Sequence, residues 1–483
     1  MPDAQGRSQG IAFRRGLTML GMTLVVPGSA QLVGGNKGLG RVAVRIWLTL
    51  IALAVLFIVL LFTFRSFAIG LYANPFTLQV LRWAALGLGI GWALLFLDAW
   101  RIANPSAMST RDKVVIALIS FTLALAVGYG SWLLAGAFDA QSRLFGTVFS
   151  GGGKAETSNG RYNVLLLGGD AGSDRDGLRP DTMIVASVHA DTGRTVLFSL
   201  PRNLQWAPFP DSSPLKKLYP NGYWCKDQSC LLNAVYTLGA NNKKLYPGVK
   251  NPGAQATKEV IENILGLQIN YYALVDLKGF QALIDAVGGI NLDVARKVPI
   301  GGGVDLTTGR KFPIKGYIGP GKNLHLDGYE ALWFARSREG STDYERMSRQ
   351  KCVLNAMAKQ LNPGTVLTKF QEIAKAGEEI VATDLPTSQL GTMLELAQKG
   401  RSLPLSSVSF APPLILPVKP NFQKIREIVS DEIAAAEAAD DKPAKSSSTA
   451  TPSGNGSSSP KPSTTATKSK TQTDDLDQVC SVS

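Results

Sequence analysis

Hydrophobic positions fall along this chain in two regimes. From residue 42 to 137 they form long runs, and from Arg161 onward they come in short bursts between polar and turn-forming residues. Three runs stand out: 42–64, broken only by Arg45; 81–97, flanked by Trp83, Trp92 and Trp100; and 114–137. A bilayer core takes about 20 apolar residues per helix. Backbone groups in lipid must pair within their own segment, so these runs predict transmembrane helices. The stretch 17–33 is weaker. It holds Pro27, Gly28, Ser29 and Gln31, which predicts a re-entrant or interfacial segment rather than a full span. Lys and Arg in the short loops set the orientation. Arg7, Arg14, Arg15, Lys37 and Arg41 precede the first run, and Arg101, Arg111 and Lys113 separate the second and third, against Arg65 alone between the first two. The N-terminus is therefore expected in the cytoplasm, and everything after the third span outside it.

Beyond the anchor, expected over 1–138, residues 139–160 read as a Gly-rich linker. The segment 161–430 has the pattern of one α/β domain. Runs at 163–167, 183–188 and 196–200 are β-rich and bounded by turn residues. Helical patterns cover 258–265, 279–287, 329–334 and 344–361. The expectation is a mixed sheet with helices packed on it. Residues 436–483 turn to Ser, Thr, Pro, Lys and Ala, a composition that cannot bury enough apolar surface to offset its ordering entropy. A disordered tail is expected there.

Composition narrows the chemistry. Lys and Arg number 50 against 37 Asp and Glu, a formal charge of +13. That favours anionic partners such as lipid head groups or phosphorylated substrates. A basic domain outside the cytoplasm has no access to nucleic acid, and no helix-turn-helix pattern is visible. With two histidines, His189 and His325, a His-rich metal site is excluded and a His-activated Ser nucleophile disfavoured. Outside the cytoplasm the four cysteines can pair. Cys225–Cys230 is the preferred bridge, a bridge from either to Cys352 is second, and Cys480 is expected to be free.

Three clusters could carry chemistry. In LLLGGDAGSDRDGLRPDT a strand runs into Gly168, Gly169 and Asp170, and Asp181 follows after Arg179 and Pro180. Two carboxylates at the ends of one loop can share Mg²⁺ or Mn²⁺, and a neighbouring guanidinium can grip a phosphate. In SLPRNL, Arg202 projects from a strand end, where α/β sheets dock ligands. In FARSREGSTDYERMSRQ, Arg336 and Arg338 share a face if extended. A helix begins near Asp343, with Arg346 and Arg349 on it. Gln350 falls in that helix's apolar stripe with Met347, Leu354 and Met357, where an amide needs partners. Arg349 reads as part of a solvated charged face. Five arginines with two aspartates suit a pyrophosphate with one metal.

These clusters, in this order behind membrane helices, resemble the LytR-CpsA-Psr family of cell-wall ligases, in an actinobacterial type. The blocks that carry the resemblance are NVLLLGGDAG, GLRPDTMIVASV, LFSLPRNL, LNAVYTLGA, YYALVDLKGFQALIDAVGGINLDV, LDGYEALWFARSR and STDYERMSRQ, covering 161–361. The resemblance implies an outward-facing phosphotransferase that moves a glycopolymer from a polyprenyl-pyrophosphate carrier to peptidoglycan. It implies Asp170 and Asp181 as metal carboxylates, and Asp181 as the candidate proton acceptor. Arg179, Arg202, Arg336, Arg338 and Arg346 would form the phosphate clamp, with Gln350 as a head-group contact. Pro180 stands where Thr is more usual, and Asn203 where Asp often follows the Pro-Arg pair. Arabinogalactan, teichoic acid, capsule and protein-linked glycan would all present the same pyrophosphate. The competing expectations are a membrane-tethered regulator of the transcription-attenuator kind, a polyprenyl-pyrophosphate phosphatase, and a lipid- or wall-binding scaffold.

Overall fold

The computed structural model describes residues 3–149, 156–170, 179–303, 309–360, 381–440 and 474–481. The chain divides into two compact units: Met1–Thr147 with Thr387–Thr392, and Val148–Pro386 with Met393–Ser483.

The first unit is helical: α1 (Asp3–Val25), α2 (Ser29–Gly34), α3 (Lys37–Thr63), α4 (Arg65–Ala73), α5 (Pro75–Ile102) and α6 (Thr110–Val148). The weak stretch 17–33 breaks at Pro27–Gly28, where Gly28 takes a φ of 93°. Among the described residues three helices are long and apolar enough to cross a membrane: α3, α5, and Thr110–Arg143 within α6. Their large side chains, such as Leu53 and Phe62, face outward. A surface this apolar calls for a non-aqueous neighbour. Asn36 and Asn74 cap α3 and α5 by accepting from Leu39 N and Phe76 N. Gly89 lets α5 approach α6, since a Cβ there would lie 2.3 Å from Ser131.

α6 continues to Val148, so the start of the expected linker is helical. Asp139 pairs one turn on with Arg143 at 2.6 Å and also with Arg82. Polar residues read as linker are thus a charge-paired helix end. Residues 150–155, the Gly-rich part, lie outside the described residues.

The second unit is a seven-stranded mixed sheet with helices on both faces. Its strands begin with β1 (Arg161–Asp170), β2 (Arg179–His189) and β3 (Thr195–Leu200). Next come α7 (Ala234–Asn241), α8 (Pro252–Leu265), β4 (Tyr271–Asp276) and α9 (Leu277–Ala286). The chain continues through β5 (Ile290–Val294), β6 (Val298–Gly301), β7 (Ile314–Ile318), β8 (Gly321–Leu326), α10 (Gly328–Arg336) and α11 (Asp343–Gln360). It closes with β9 (Val381–Thr383), α12 (Thr387–Gly400, of which Met393 onward belongs to this unit), β10 (Ser406–Ser409), α13 (Phe422–Asp440) and β11 (Asp474–Asp475). The sheet order is β11-β10-β3-β2-β1-β4-β9, with β5-β8 and β6-β7 as separate pairs. β1 runs antiparallel to β2 and parallel to β4.

Period-two alternation gives the sheet two apolar faces. Leu165, Leu167, Val185 and Phe198 point into a core closed by α8 and α13 through Val260, Ile261, Ile264 and Ile425. Leu166, Ile184 and Leu197 point the other way. Helix starts follow local chemistry: Asn251 and Pro252 open α8, Asp276 caps α9, and Asp327 with Glu330 forms a capping box on α10.

The tail and its cysteine need correction. α13 extends to Asp440, and 441–473 lie outside the described residues. Beyond them Asp474–Asp475 adds antiparallel to β10, and Cys480 is bonded to Cys352 rather than free. The reason lies in DDLDQVC. Leu476 is fully buried, Asp474 pairs with Lys351 at 3.0 Å, and Asp477 accepts from Asn355 at 3.1 Å and from Lys359. A composition average over the Ser- and Thr-rich stretch hid this short apolar and acidic end. Cys225 and Cys230 are paired as preferred, with Cα atoms 5.3 Å apart.

Candidate active site

The site begins with a bulge. β1 and β2 pair Asp170 with Arg179 and Gly169 with Pro180, then Gly168 with Thr182. Asp181 is therefore the extra residue. A bulge re-aims a side chain, and it accommodates the missing N–H of Pro180. Gly168 is required there, because a Cβ would lie 2.9 Å from Thr182 Cβ.

Three further segments converge on Asp181. β3 ends at Leu200, and Pro201 turns the chain so that Arg202 donates to Asp181 Oδ1 at 2.8 Å. α10 stops at Arg336, and two residues later Arg338 donates to Asp181 Oδ2 at 2.7 Å. In the first turn of α11, Arg346 is 2% exposed and donates to the Asp181 carbonyl at 3.3 Å. Its Nη2 also donates to both oxygens of Asp343, at 3.0 and 3.1 Å. Asp343 Oδ1 in turn lies 3.8 Å from Arg202 Nε and 3.7 Å from Arg338 Nε. Three guanidinium groups and two carboxylates thus alternate in one network.

Burial alone would raise the pKa of Asp181, but the charges of Arg202, Arg338 and Arg346 outweigh it and hold the carboxyl below the usual carboxylate range. For Arg338 burial dominates, aided by the neighbouring arginines, and lowers its pKa despite Asp181 and Asp343.

The network opens on a cavity of about 1080 Å³. Leu166, Ile184, Phe280, Leu332, Val353 and Met357 supply apolar wall, and Asp181, Arg336, Arg338, Arg346 and Gln350 line the same space. A second cavity of about 440 Å³, lined mostly by apolar residues, shares Leu166, Leu354 and Met357 with the first. The outward face of β1 therefore serves both.

The other sequence candidates fall differently. Arg336 lines the cavity with its guanidinium 5.2 Å from the Trp333 ring. Gln350 also lines it, and its Nε2 donates to Ala335 O at 3.3 Å. Arg179 is exposed at the start of β2 and does not line the cavity. Asp170 ends β1 opposite Arg179, and its side chain lies outside the described residues. Arg349 is not on a solvated face. It donates to Phe334 O at 2.7 Å, to Ser337 O, and to Ser341 Oγ at 3.3 Å, so it closes the end of α10. A charge run shows no sign of this, because the acceptors are carbonyls brought in by another helix. Asn203 Oδ1 is buried with no hydrogen-bond partner among the described residues. Asp343 lies within reach of Arg202, Arg338 and Arg346 alike.

Among the described residues no three His, Cys, Asp or Glu side chains cluster as a metal site. Asp181 offers oxygen donors, the type a hard divalent ion takes, and both oxygens also meet guanidinium groups. The fit to a metal therefore rests on Asp181, with the strand position of Asp170 beside it, and leaves the remaining ligands to water and substrate oxygens.

Comparison with known proteins agrees with the blocks quoted above. The TagV polyisoprenyl-teichoic acid–peptidoglycan teichoic acid transferase of Bacillus subtilis is 26% identical over 283 residues, 56% of this chain and 64% of that protein. The TagU transferase of the same description from Oceanobacillus iheyensis is 30% identical over 236 residues, 48% of this chain and 61% of that protein. The chain thus spans somewhat under two thirds of these relatives. The crystal structure of B. subtilis TagV aligns at 24% identity with a TM-score of 0.39, covering 58% of this chain and 99% of that one. The LytR_cpsA_psr family profile matches residues 140–412, more than half of the sequence, and the chain belongs to that family.

Proposed function

We propose that this protein is a membrane-anchored phosphotransferase that moves a glycopolymer from a polyprenyl-pyrophosphate carrier to peptidoglycan, on the outer side of the cell membrane. The observation that carries this reading is the Asp181–Arg202–Arg338–Arg346 network, of which Asp181, Arg338 and Arg346 line a largely apolar cavity. A guanidinium cluster suits a diphosphate, and the apolar wall suits a prenyl chain. Relatives named as teichoic acid transferases support the reaction class.

In this reading the arginines bind the diphosphate and stabilise charge spread over its oxygens as the bond breaks. A hydroxyl oxygen of the acceptor sugar forms a bond to the glycan-side phosphorus. The phosphorus–oxygen bond to the polyprenyl phosphate breaks, and polyprenyl phosphate leaves with the electron pair. The hydroxyl proton passes to a carboxylate, for which Asp181 is the candidate. Its lowered pKa keeps it ionised at neutral pH. Asp181 and Asp170 are the proposed holders of Mg²⁺ or Mn²⁺, which would neutralise pyrophosphate charge when bound.

The test is transfer of a labelled lipid-linked glycan to peptidoglycan by the purified full chain. Phosphodiester-linked glycan on the acceptor supports the reading. Release of free glycosyl phosphate in the presence of acceptor favours a pyrophosphatase instead. Transfer unaffected by strong chelation and by Asp170→Asn would remove the metal from the scheme.

A further inference from the structure

We infer that Trp206 and Trp224 form a stacking platform for a sugar ring of a glycan substrate; its role, though not its existence, rests on the transferase reading. The two indoles lie nearly parallel, 4.9 Å between centroids and 12° between planes. They remain 38% and 39% exposed, although burying such rings is worth more than burying most side chains. Pairing covers one face of each ring, and more than a third of each residue stays open to solvent. The apolar faces of sugars meet such rings, and their hydroxyls need polar neighbours. Exposed Asn221, Lys226, Asp227 and Gln228 border Trp224 along the chain.

The platform is built rather than incidental. Trp206 sits at a φ of 58°, a region a bulky residue rarely adopts. Such strain persists only where surrounding structure over-determines it. Here Tyr223 N donates to Ala207 O at 2.8 Å, and Gly222 packs where a Cβ would lie 2.8 Å from Trp206 O. Cys225, next to Trp224, is bonded to Cys230. Both tryptophans are therefore held on pinned backbone.

The chain itself connects the platform to the clamp. Trp206 is four residues after Arg202, so their Cα atoms are at most about 14 Å apart, the span of a short oligosaccharide. A glycan attached to, or attacking, a phosphate at the clamp would extend over this surface.

The test uses the full-length protein in detergent with Trp206→Ala, Trp224→Ala and the conservative Trp206→Tyr. Transfer kinetics are read separately against lipid-linked donor and peptidoglycan acceptor. Calorimetry with soluble peptidoglycan oligosaccharides reads binding without turnover. The alanine variants should raise KM for one of the two glycans, or weaken oligosaccharide binding, by about threefold to tenfold, with kcat little changed and Trp206→Tyr largely restored. Which KM rises tells donor from acceptor. Binding of inorganic pyrophosphate should be unchanged. If wild-type protein binds the oligosaccharides without transferring glycan and the alanine variants bind them more weakly, the transferase reading fails and the platform stands. Unchanged KM for both glycans with unchanged oligosaccharide binding overturns the platform. So does loss of association with phosphatidylglycerol vesicles as the only effect, which would make the patch a membrane contact. Where Trp206→Ala fails to fold, Trp224→Ala and Trp206→Tyr carry the same comparison.

Discussion

Arg338 and Asp181 stand 157 positions apart in sequence and meet at 2.7 Å. The contact needs a strand bulge to turn Asp181 and a helix end to release Arg338, and neither depends on the other. Such a meeting is costly to hold unless it serves the site, because a half-exposed ion pair contributes little stability. Arg338→Ala should therefore cut glycan transfer by about a hundredfold or more, the scale for removing one charge-stabilising donor. The thermal midpoint should move little. Transfer at the wild-type rate by folded Arg338→Ala would end the clamp assignment.

Asp181 gives the network a pH signature. Its folded-state pKa lies below the ordinary carboxylate value of about 3.9, because three guanidinium groups outweigh its burial. A depressed acid contributes stability that is fully present above the unfolded value and is lost as pH falls through the folded one. The stability gap between wild type and Asp181→Asn should thus be constant from neutral pH to about 5 and shrink below about 4. Urea midpoints of the two proteins across that range check it. A gap that widens on acidification would contradict the sign.

Legibility in the sequence followed range. The three long helices were readable because lipid demands an unbroken apolar run, and β1, β2 and β3 because alternation and turn residues mark them. The convergence of Arg202, Arg338 and Arg346 was readable only through ordered motif blocks, since spacing along a chain does not encode distance. What escaped is contact with remote carbonyls or remote charges. Arg349 looked like a solvated cation, and Cys480 sat at the end of a Ser- and Thr-rich stretch. Arg179 looked equivalent to its neighbours, yet one strand position separates an exposed arginine from the Asp181 that lines the cavity.

Arg349 offers a test of indirect positioning. By binding the carbonyls of Phe334 and Ser337 it fixes the chain between Arg336 and Arg338. Arg349→Ala leaves those carbonyls without their charged donor and should cost about 1–3 kcal/mol of stability. It should also lower kcat through a displaced Arg338, with a smaller effect on donor KM. Arg349→Lys should restore part of the stability but less of the rate, because an ammonium lacks the planar fork that reaches several acceptors. Equal rescue of both would reduce Arg349 to a structural residue.

The Cys352–Cys480 bond joins α11, the helix of Arg346 and Gln350, to the last described segment across 128 positions. A cross-link closing a loop this long removes much unfolded-state entropy, and Cys480→Ser should cost about 2–4 kcal/mol. The consequence for activity should be smaller. Arg346 is held by Asp343 and by the Asp181 carbonyl, on the part of α11 nearer its start. Lys351–Asp474 and the buried Leu476 still fasten the segment when the sulfurs are parted. Chemical unfolding of Cys480→Ser beside wild type reads the first effect, and transfer measured well below the thermal midpoint reads the second. A variant of unchanged stability would mean that β11, Leu476 and the Asp477 contacts hold the end without the covalent bond. A rate lost in step with stability would mean that α11 needs the tether to present Arg346.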